Sequence, residues 1–212
     1  MAADEERSVG EELLGPFRYR WDMGCFPLSA DSLALGDFCA LRPGDRVADL
    51  GCGAGLLLLL CARRQEGLTL TGVELDPHAA ELARANLAGN GLAGAVLTGD
   101  LRETAVPGGA DLVLSNPPWY PPGQRGGSAR VEDCSLAELC RAAAEALGRR
   151  GRFALVHRPE RLADVFAALR GSGLEPKRMA LCRHSPGKTP YAVLVEAVKG
   201  GRPGLAMEPD RP

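Results

Sequence analysis

Val47-Ala48-Asp49-Leu50-Gly51-Cys52-Gly53-Ala54-Gly55-Leu56-Leu57-Leu58-Leu59-Leu60-Cys61-Ala62-Arg63-Arg64 is the stretch that decides the fold. Behind the turn Pro43-Gly44-Asp45-Arg46, Val47 to Leu50 is a short strand, and Leu56 to about Arg64 is a strongly apolar helix. Strand, glycine turn and helix make the opening unit of a doubly wound α/β fold. Glycines let the backbone turn tightly into the helix N-terminus and come close to a ligand there. A dinucleotide fingerprint needs G-x-G-x-x-G; here the third glycine comes one position early, and Leu56 stands where it should be.

G-x-G-x-G behind Asp49 is instead the pattern associated with S-adenosylmethionine, which has no pyrophosphate to cradle. Outward from it, Leu68 to Leu75 alternates apolar residues with threonine and ends in Glu74, placed to accept hydrogen bonds from two ribose hydroxyls. Asp76-Pro77 starts a helix that runs to about Leu87, and Asn90-Gly91-Leu92 ends it. Ala95 to Thr98 is a third strand, followed by Asp100-Leu101, where a carboxylate could meet an adenine amine. The cofactor-binding set expected from this order is Asp49, Gly51, Gly53, Gly55, Glu74, Leu75, Asp100, Leu101 and Asn116. Taken singly, each acid is most often a solvated loop residue; in this order and spacing, chance is a poor explanation.

The fourth strand end is Asp111-Leu112-Val113-Leu114-Ser115-Asn116-Pro117-Pro118-Trp119-Tyr120. Val113 and Leu114 suit a buried parallel strand, and Pro117-Pro118 stops the ladder because proline has no N–H to donate. That leaves Asn116, Trp119 and Tyr120 at the carboxyl end of a strand, where open α/β sheets hold ligands. An amide carbonyl beside a backbone carbonyl can accept both protons of an exocyclic amine, while an aromatic ring stacks on the base. Such an amine is a poor nucleophile because its lone pair is delocalised into the ring. Drawing its protons to two acceptors pushes the nitrogen toward tetrahedral geometry and frees that pair. Asn116, Pro117, Pro118 and Trp119 are therefore the expected catalytic set; the bland alternative is a strand end with a proline turn.

The rest of the chain sets bounds. At 212 residues with 45% apolar content, one domain with a substantial core is expected. The formal charge of -2 hides an asymmetry: between 141 and 200 twelve basic residues face five acids, an excess of seven. That half could meet a polyanion or could be a surface of scattered ion pairs. Seven cysteines without a close C-x-x-C pair indicate neither zinc nor a disulfide framework, which fits reduced thiols and a cytoplasmic location. No metal is expected, and the longest apolar run, Leu56 to Ala62, is too short to span a membrane. A monomer is the starting assumption.

Residues 1–40 are expected to form a lead-in or cap. Ser29 or Asp31 starts a helix to about residue 40, and Phe17-Arg18-Tyr19-Arg20-Trp21 is either a flap packing on the sheet or a lid. Residues 41–200 make the ligand-binding domain. Pro121 to Arg130 is a loop over the substrate mouth, and Ser135 caps a helix to about Leu147. Arg152 to Val156 is a strand, followed by a helix from Pro159 to about Leu169; His157 and Arg158 before it either touch a phosphate or pack. Lys177 to Arg183 and Tyr191 to Ala197 form an antiparallel pair. Residues 201–212 are expected to be a loose tail.

In this order, Asp-x-Gly-x-Gly-x-Gly, the strand-end acids and Asn-Pro-Pro-Trp resemble the class I methyltransferases that act on exocyclic amines. Phe26 to Leu33, Asn90-Gly91-Leu92, Asn116-Pro117-Pro118, Gly151 to Leu162 with its His-Arg-Pro-Glu-Arg-Leu, Gly173 to Arg178 and Val193 to Gly200 narrow this. They are similar to the bacterial tRNA(Val) N6-adenine methyltransferases. The resemblance implies a Rossmann-like, doubly wound, mostly parallel seven-stranded sheet with an antiparallel last strand. It implies S-adenosyl-L-methionine as cofactor and RNA, specifically tRNA, as partner. Gly51, Gly53 and Gly55 would line the donor, Glu74 hold the ribose, Asp100 the donor adenine, and Asn116, Pro117 and Trp119 the target base. Two departures stand out: Trp119 replaces the commoner Tyr, and Val131 stands where the family usually has His. Competing readings are a guanine-N2 rRNA methyltransferase, a protein-glutamine N5 methyltransferase, and a non-catalytic methyltransferase-like binding module.

Overall fold

A computed structural model describes residues 10–22, 25, 27–117 and 134–211. The central sheet has eight strands. β3 (Arg46–Leu50), β4 (Thr69–Glu74), β5 (Gly94–Thr98), β6 (Ala110–Ser115) and β7 (Leu147–His157) run parallel. β9 (Ala192–Lys199) lies antiparallel between β7 and β8 (Leu174–Cys182), and the two-residue β10 (Ala206–Met207) adds to β8. The order β10-β8-β9-β7-β6-β3-β4-β5 reverses direction between β3 and β6. There neighbouring strands wind away from each other and leave a crevice at their carboxyl ends. The expected seven strands are present; the eighth is the short tail strand.

Helices cover both faces. α1 (Ala30–Phe38), α2 (Leu56–Arg64) and α3 (Pro77–Gly89) share one apolar core; α4 (Leu136–Ala146) and α5 (Leu162–Gly171) share the other. A helix apolar all round must be covered all round. In α2 every residue from Leu56 to Ala62 is buried, which requires partners beyond the sheet. One is α1, whose Gly36 allows the approach: a Cβ there would lie 3.0 Å from Leu60. The other is a hairpin, β1 (Gly10–Leu14) and β2 (Phe17–Trp21), with Leu14 and Tyr19 buried. Burying a leucine contributes roughly 1.5–3 kcal/mol, so the leucine run of α2 is a major part of this core.

Two expectations need correction. The aromatic flap at 17–21 is a strand of a hairpin that packs on α2 and α3, not on the sheet. Its free edge is closed by two amides one turn apart, Asn86 in α3 and Asn90 at its C-cap. Asn90 Oδ1 accepts from Arg18 N–H at 2.8 Å and its Nδ2 donates to Arg18 C=O at 2.7 Å. Asn86 does the same with Arg20, at 3.0 and 2.8 Å. The stretch after Gly200, expected loose, docks instead: β10 pairs with β8, and Glu208 and Asp210 hold Arg178 and Arg183. Ser135 caps α4 as expected, in a reciprocal capping box with Glu138. Ser29 caps α1.

Candidate active site

All the described candidate residues lie along the carboxyl edge of the sheet. Gly51 and Gly53 have φ of 79° and 52°, a left-handed conformation that side chains disfavour, and nothing lies within 4 Å of a Cβ built on either. The turn is thus open on its outer side. Gly51 and Cys52 N–H both donate to Val73 C=O, at 2.8 and 3.1 Å, tying the turn to β4. Gly55 is the left-handed N-cap of α2. Glu74 shapes the same loop: Oε2 accepts from Gly53 N–H at 2.8 Å and Oε1 from Asp76 N–H at 2.9 Å. A carboxylate oxygen accepts more than one bond, so both retain capacity toward a hydroxyl. Beyond it, Leu75 is 46% exposed, an apolar surface at the edge of the crevice.

Asp49, at the end of β3, is 1% exposed, and its Oδ1 has no hydrogen-bond partner among the described residues. Burial, with Glu74 adding repulsion, pushes its carboxyl up to about 8. A buried, unpartnered acceptor beside a glycine turn suits a ligand that brings a cation or a donor. Asp100 is different. Its carboxylate takes Arg102 Nε on both oxygens, at 2.9 and 3.0 Å, and Arg102 N–H at 2.9 Å. Arg102 accordingly holds the Asp100 carboxyl below the usual carboxylate range. The acceptor role expected of Asp100 therefore has a competitor in place. Leu101 next to it is partly buried against the core shared by α4 and α5.

Across the switch point, Ser115 Oγ–H donates to Leu50 C=O at 2.8 Å, locking β6 to β3. Asn116 follows, and its Nδ2 donates to Ser32 Oγ at 3.1 Å. Ser32 is itself fixed by the α1 cap: its N–H donates to Ser29 Oγ at 3.2 Å, and Ser29 Oγ–H donates to Ser32 Oγ at 3.0 Å. The carboxamide is thus held by its nitrogen, leaving Oδ1 as an acceptor. Pro117 sits beside it; Pro118, Trp119, Tyr120 and the 121–130 loop lie outside the described residues.

Ser32 and Asn86 were not legible as site residues. Ser32 reads as part of a cap, because its partner is 84 residues away. Asn86 offered one signal, an amide in a helix interior, where it is disfavoured unless employed. It is 3% exposed and also donates to Ala54 C=O in the glycine turn at 2.8 Å, joining the hairpin to that turn. His157 is buried, accepts from Arg158 N–H at 2.8 Å and is held below the usual imidazole range, first by burial and then by Arg161. Three members of the basic excess pair with acids outside that stretch: Arg152 with Asp45, Arg178 with Glu208 and Arg183 with Asp210. Among the described residues no cluster of three His, Cys, Asp or Glu side chains could hold a metal, and no helix is long and apolar enough to cross a membrane.

This fold, with its glycine turn and strand-end acids at the switch point, defines a class I S-adenosylmethionine-dependent methyltransferase. The methyltransferase small domain model matches residues 33–169, and the chain belongs to that family. A tRNA1(Val) (adenine(37)-N6)-methyltransferase of Porphyromonas gingivalis is 30% identical over 82% of this chain and 75% of its own length. The chain spans 50% to 81% of the length of several relatives so named. A ribosomal RNA small subunit methyltransferase C of Pseudomonas entomophila is 44% identical, over 37% of this chain and 23% of its own length. Among solved structures, a predicted O-methyltransferase of Agrobacterium tumefaciens superimposes with a TM-score of 0.70 at 27% identity, over 85% of this chain and 86% of its own. The cofactor is S-adenosylmethionine. The open outer side of the turn and the unpartnered Asp49 oxygen fit a cationic nucleoside of that kind.

Proposed function

We propose that this enzyme methylates an exocyclic base amine in RNA, with adenine N6 of a tRNA as the target. The observation that carries the reading is the Asn116 carboxamide at the switch point, anchored through nitrogen on Ser32 with its oxygen left to accept. Asn116 Oδ1 and the neighbouring backbone carbonyl would take the two amine protons, orienting the nitrogen lone pair toward the donor side of the crevice. Gly51, Gly53, Gly55, Glu74 and Leu75 would hold the cofactor, with Asp49 behind the turn; when bound, it supplies an electrophilic methyl group. Leu101 lines the same edge, and Asp100 would act only as far as Arg102 shares it. Trp119 is assigned the face of the base on sequence grounds alone. Positioning of this kind is worth roughly 7–11 kcal/mol when two reactants are aligned. Turning a base out of its stack costs a few kcal/mol, which contacts in the mouth must offset. The names and coverage of the tRNA-modifying relatives support RNA as the substrate class.

The test is transfer of labelled methyl to total RNA and, in parallel, to total protein, each from cells lacking this enzyme. N6-methyladenosine in digested tRNA is the expected product. Label in rRNA guanine would move the assignment to the ribosomal relatives' side, and label in protein alone would overturn it. Asn116→Ala should lower kcat at least about a hundredfold, as removal of one preorganised polar group does. Ser32→Ala, which keeps the Ser29 cap, should lower kcat about 2- to 13-fold, the worth of one hydrogen bond, with KM for RNA little changed. A non-catalytic module would show no turnover to lose.

A further inference from the structure

We infer that the turn between β8 and β9 carries a stacking platform for an unpaired nucleotide near the target base, built from His184 on Tyr191. This rests on the RNA reading above. The two rings stack with centroids 4.4 Å apart and planes 13° from parallel. Tyr191 packs on the core shared by α1, α2 and α3, whereas His184 is exposed, so the imidazole has one face on Tyr191 and the other toward solvent. The turn is held independently of that stack. Tyr191 N–H donates to Cys182 C=O at 2.9 Å, Arg183 N–H to Arg211 C=O at 2.8 Å, and the Arg183 guanidinium grips both Lys188 C=O and Asp210. An exposed ring added to a closed turn contributes little to the core. It makes sense as a prepared surface.

Its place points to the occupant. β8 and β9 meet the carboxyl edge at this turn, since Cys182 pairs with Ala192, Leu194 with Val156, and Leu155 with Ser115. Two to three strand spacings, about 10–14 Å, separate the turn from Asn116 across the sheet. His184 also lies near enough to Asp31, next to Ser32, to act on its carboxyl. Lys188 is exposed on the same turn. An aromatic face with a lysine alongside, on the rim of a base-binding mouth, suits single-stranded RNA. Base faces are available there, whereas a duplex buries them.

The experiment compares wild type with His184→Ala and His184→Phe on unmodified tRNA, and on a fully paired RNA duplex of similar length. His184→Ala should raise KM for tRNA about 5- to 150-fold, the range for losing one base stack, with kcat, Tm and S-adenosylmethionine affinity held. His184→Phe should restore KM to within about threefold, because it keeps the face and drops the titratable nitrogen. Equal KM for wild type and His184→Ala overturns the platform. So does a His184→Phe as weak as His184→Ala, since charge rather than stacking would then be at work. A fall in Tm matching the loss of binding makes the pair structural and also overturns it. If wild type labels protein and no RNA, the RNA reading itself has failed; if it labels RNA and the variants do not differ, only the platform has.

Discussion

Asp49 is a poor place for a negative charge. It is buried, has an unpartnered oxygen and sits near Glu74, which together raise its carboxyl to about 8. In the unfolded chain the same group titrates near 3.9. Between roughly pH 4 and 8 the folded state therefore holds a proton that the unfolded state has lost, and stability of the ligand-free protein falls as pH rises through that window. A cationic donor reverses the preference by favouring the ionised form. Binding should release close to one proton near pH 7, measured by calorimetry in buffers of different ionisation enthalpy. Asp49→Asn should abolish most of that release; an unchanged release would place the titration elsewhere. The positions of Asp49, Glu74 and the glycines at the carboxyl edge could be read from sequence because they follow from backbone turns and strand ends, which are local. Ser32 could not, because its role depends on where β6 ends relative to α1.

At the scale of elements, the pairing of β2 with α3 is the least expected contact. Two side-chain amides, spaced four residues apart, meet backbone groups spaced two apart, so a helix serves as the neighbouring strand. It closes an edge that would otherwise be open to other chains. Asn86→Ala would leave Arg20 N–H, Arg20 C=O and Ala54 C=O short of partners. The expected loss is about 2–4 kcal/mol in denaturant unfolding, with weaker cofactor binding because the glycine turn loses a support. Asn90→Ala, nearer the surface, should cost about 1 kcal/mol and leave cofactor affinity alone. The hairpin itself was hard to read, since only Tyr19 and Leu14 turn fully inward and the rest of 10–21 is exposed or half-buried. The apolar α2 was easy to read, although what covers it was not.

For the whole molecule, the fold class was the readable part: alternating strands and helices with right-handed connections leave few choices, and the four strand-end polar residues fall along one edge of the sheet. Charge was the ambiguous part. The basic excess at 141–200 left open a binding face or a surface of ion pairs, and part of it ties the fold together through acids from elsewhere in the chain. Arg152 and Asp45 illustrate this: they lie 107 residues apart and meet at 2.6 Å, with side chains 6% and 8% exposed. Asp45→Ala would leave a buried guanidinium without its partner, which costs about 3–5 kcal/mol and should lower Tm by about 10 °C. Replacing both with apolar residues of similar volume should recover much of that loss, as measured by the same melts.

The amides that complete the N-terminal hairpin also set an order of events during synthesis. Arg20 and Arg18 wait for Asn86 and Asn90, which leave the ribosome 66 and 72 residues later. At ordinary elongation rates that is roughly 3–14 s during which β2, although α2 is already made, lacks the amides that close its edge. Since Asn86 also supports the glycine turn through Ala54, a nascent chain long enough to contain that turn still lacks its finished form. The glycine turn is therefore complete only once α3 has been made and the 10–21 hairpin has closed onto it.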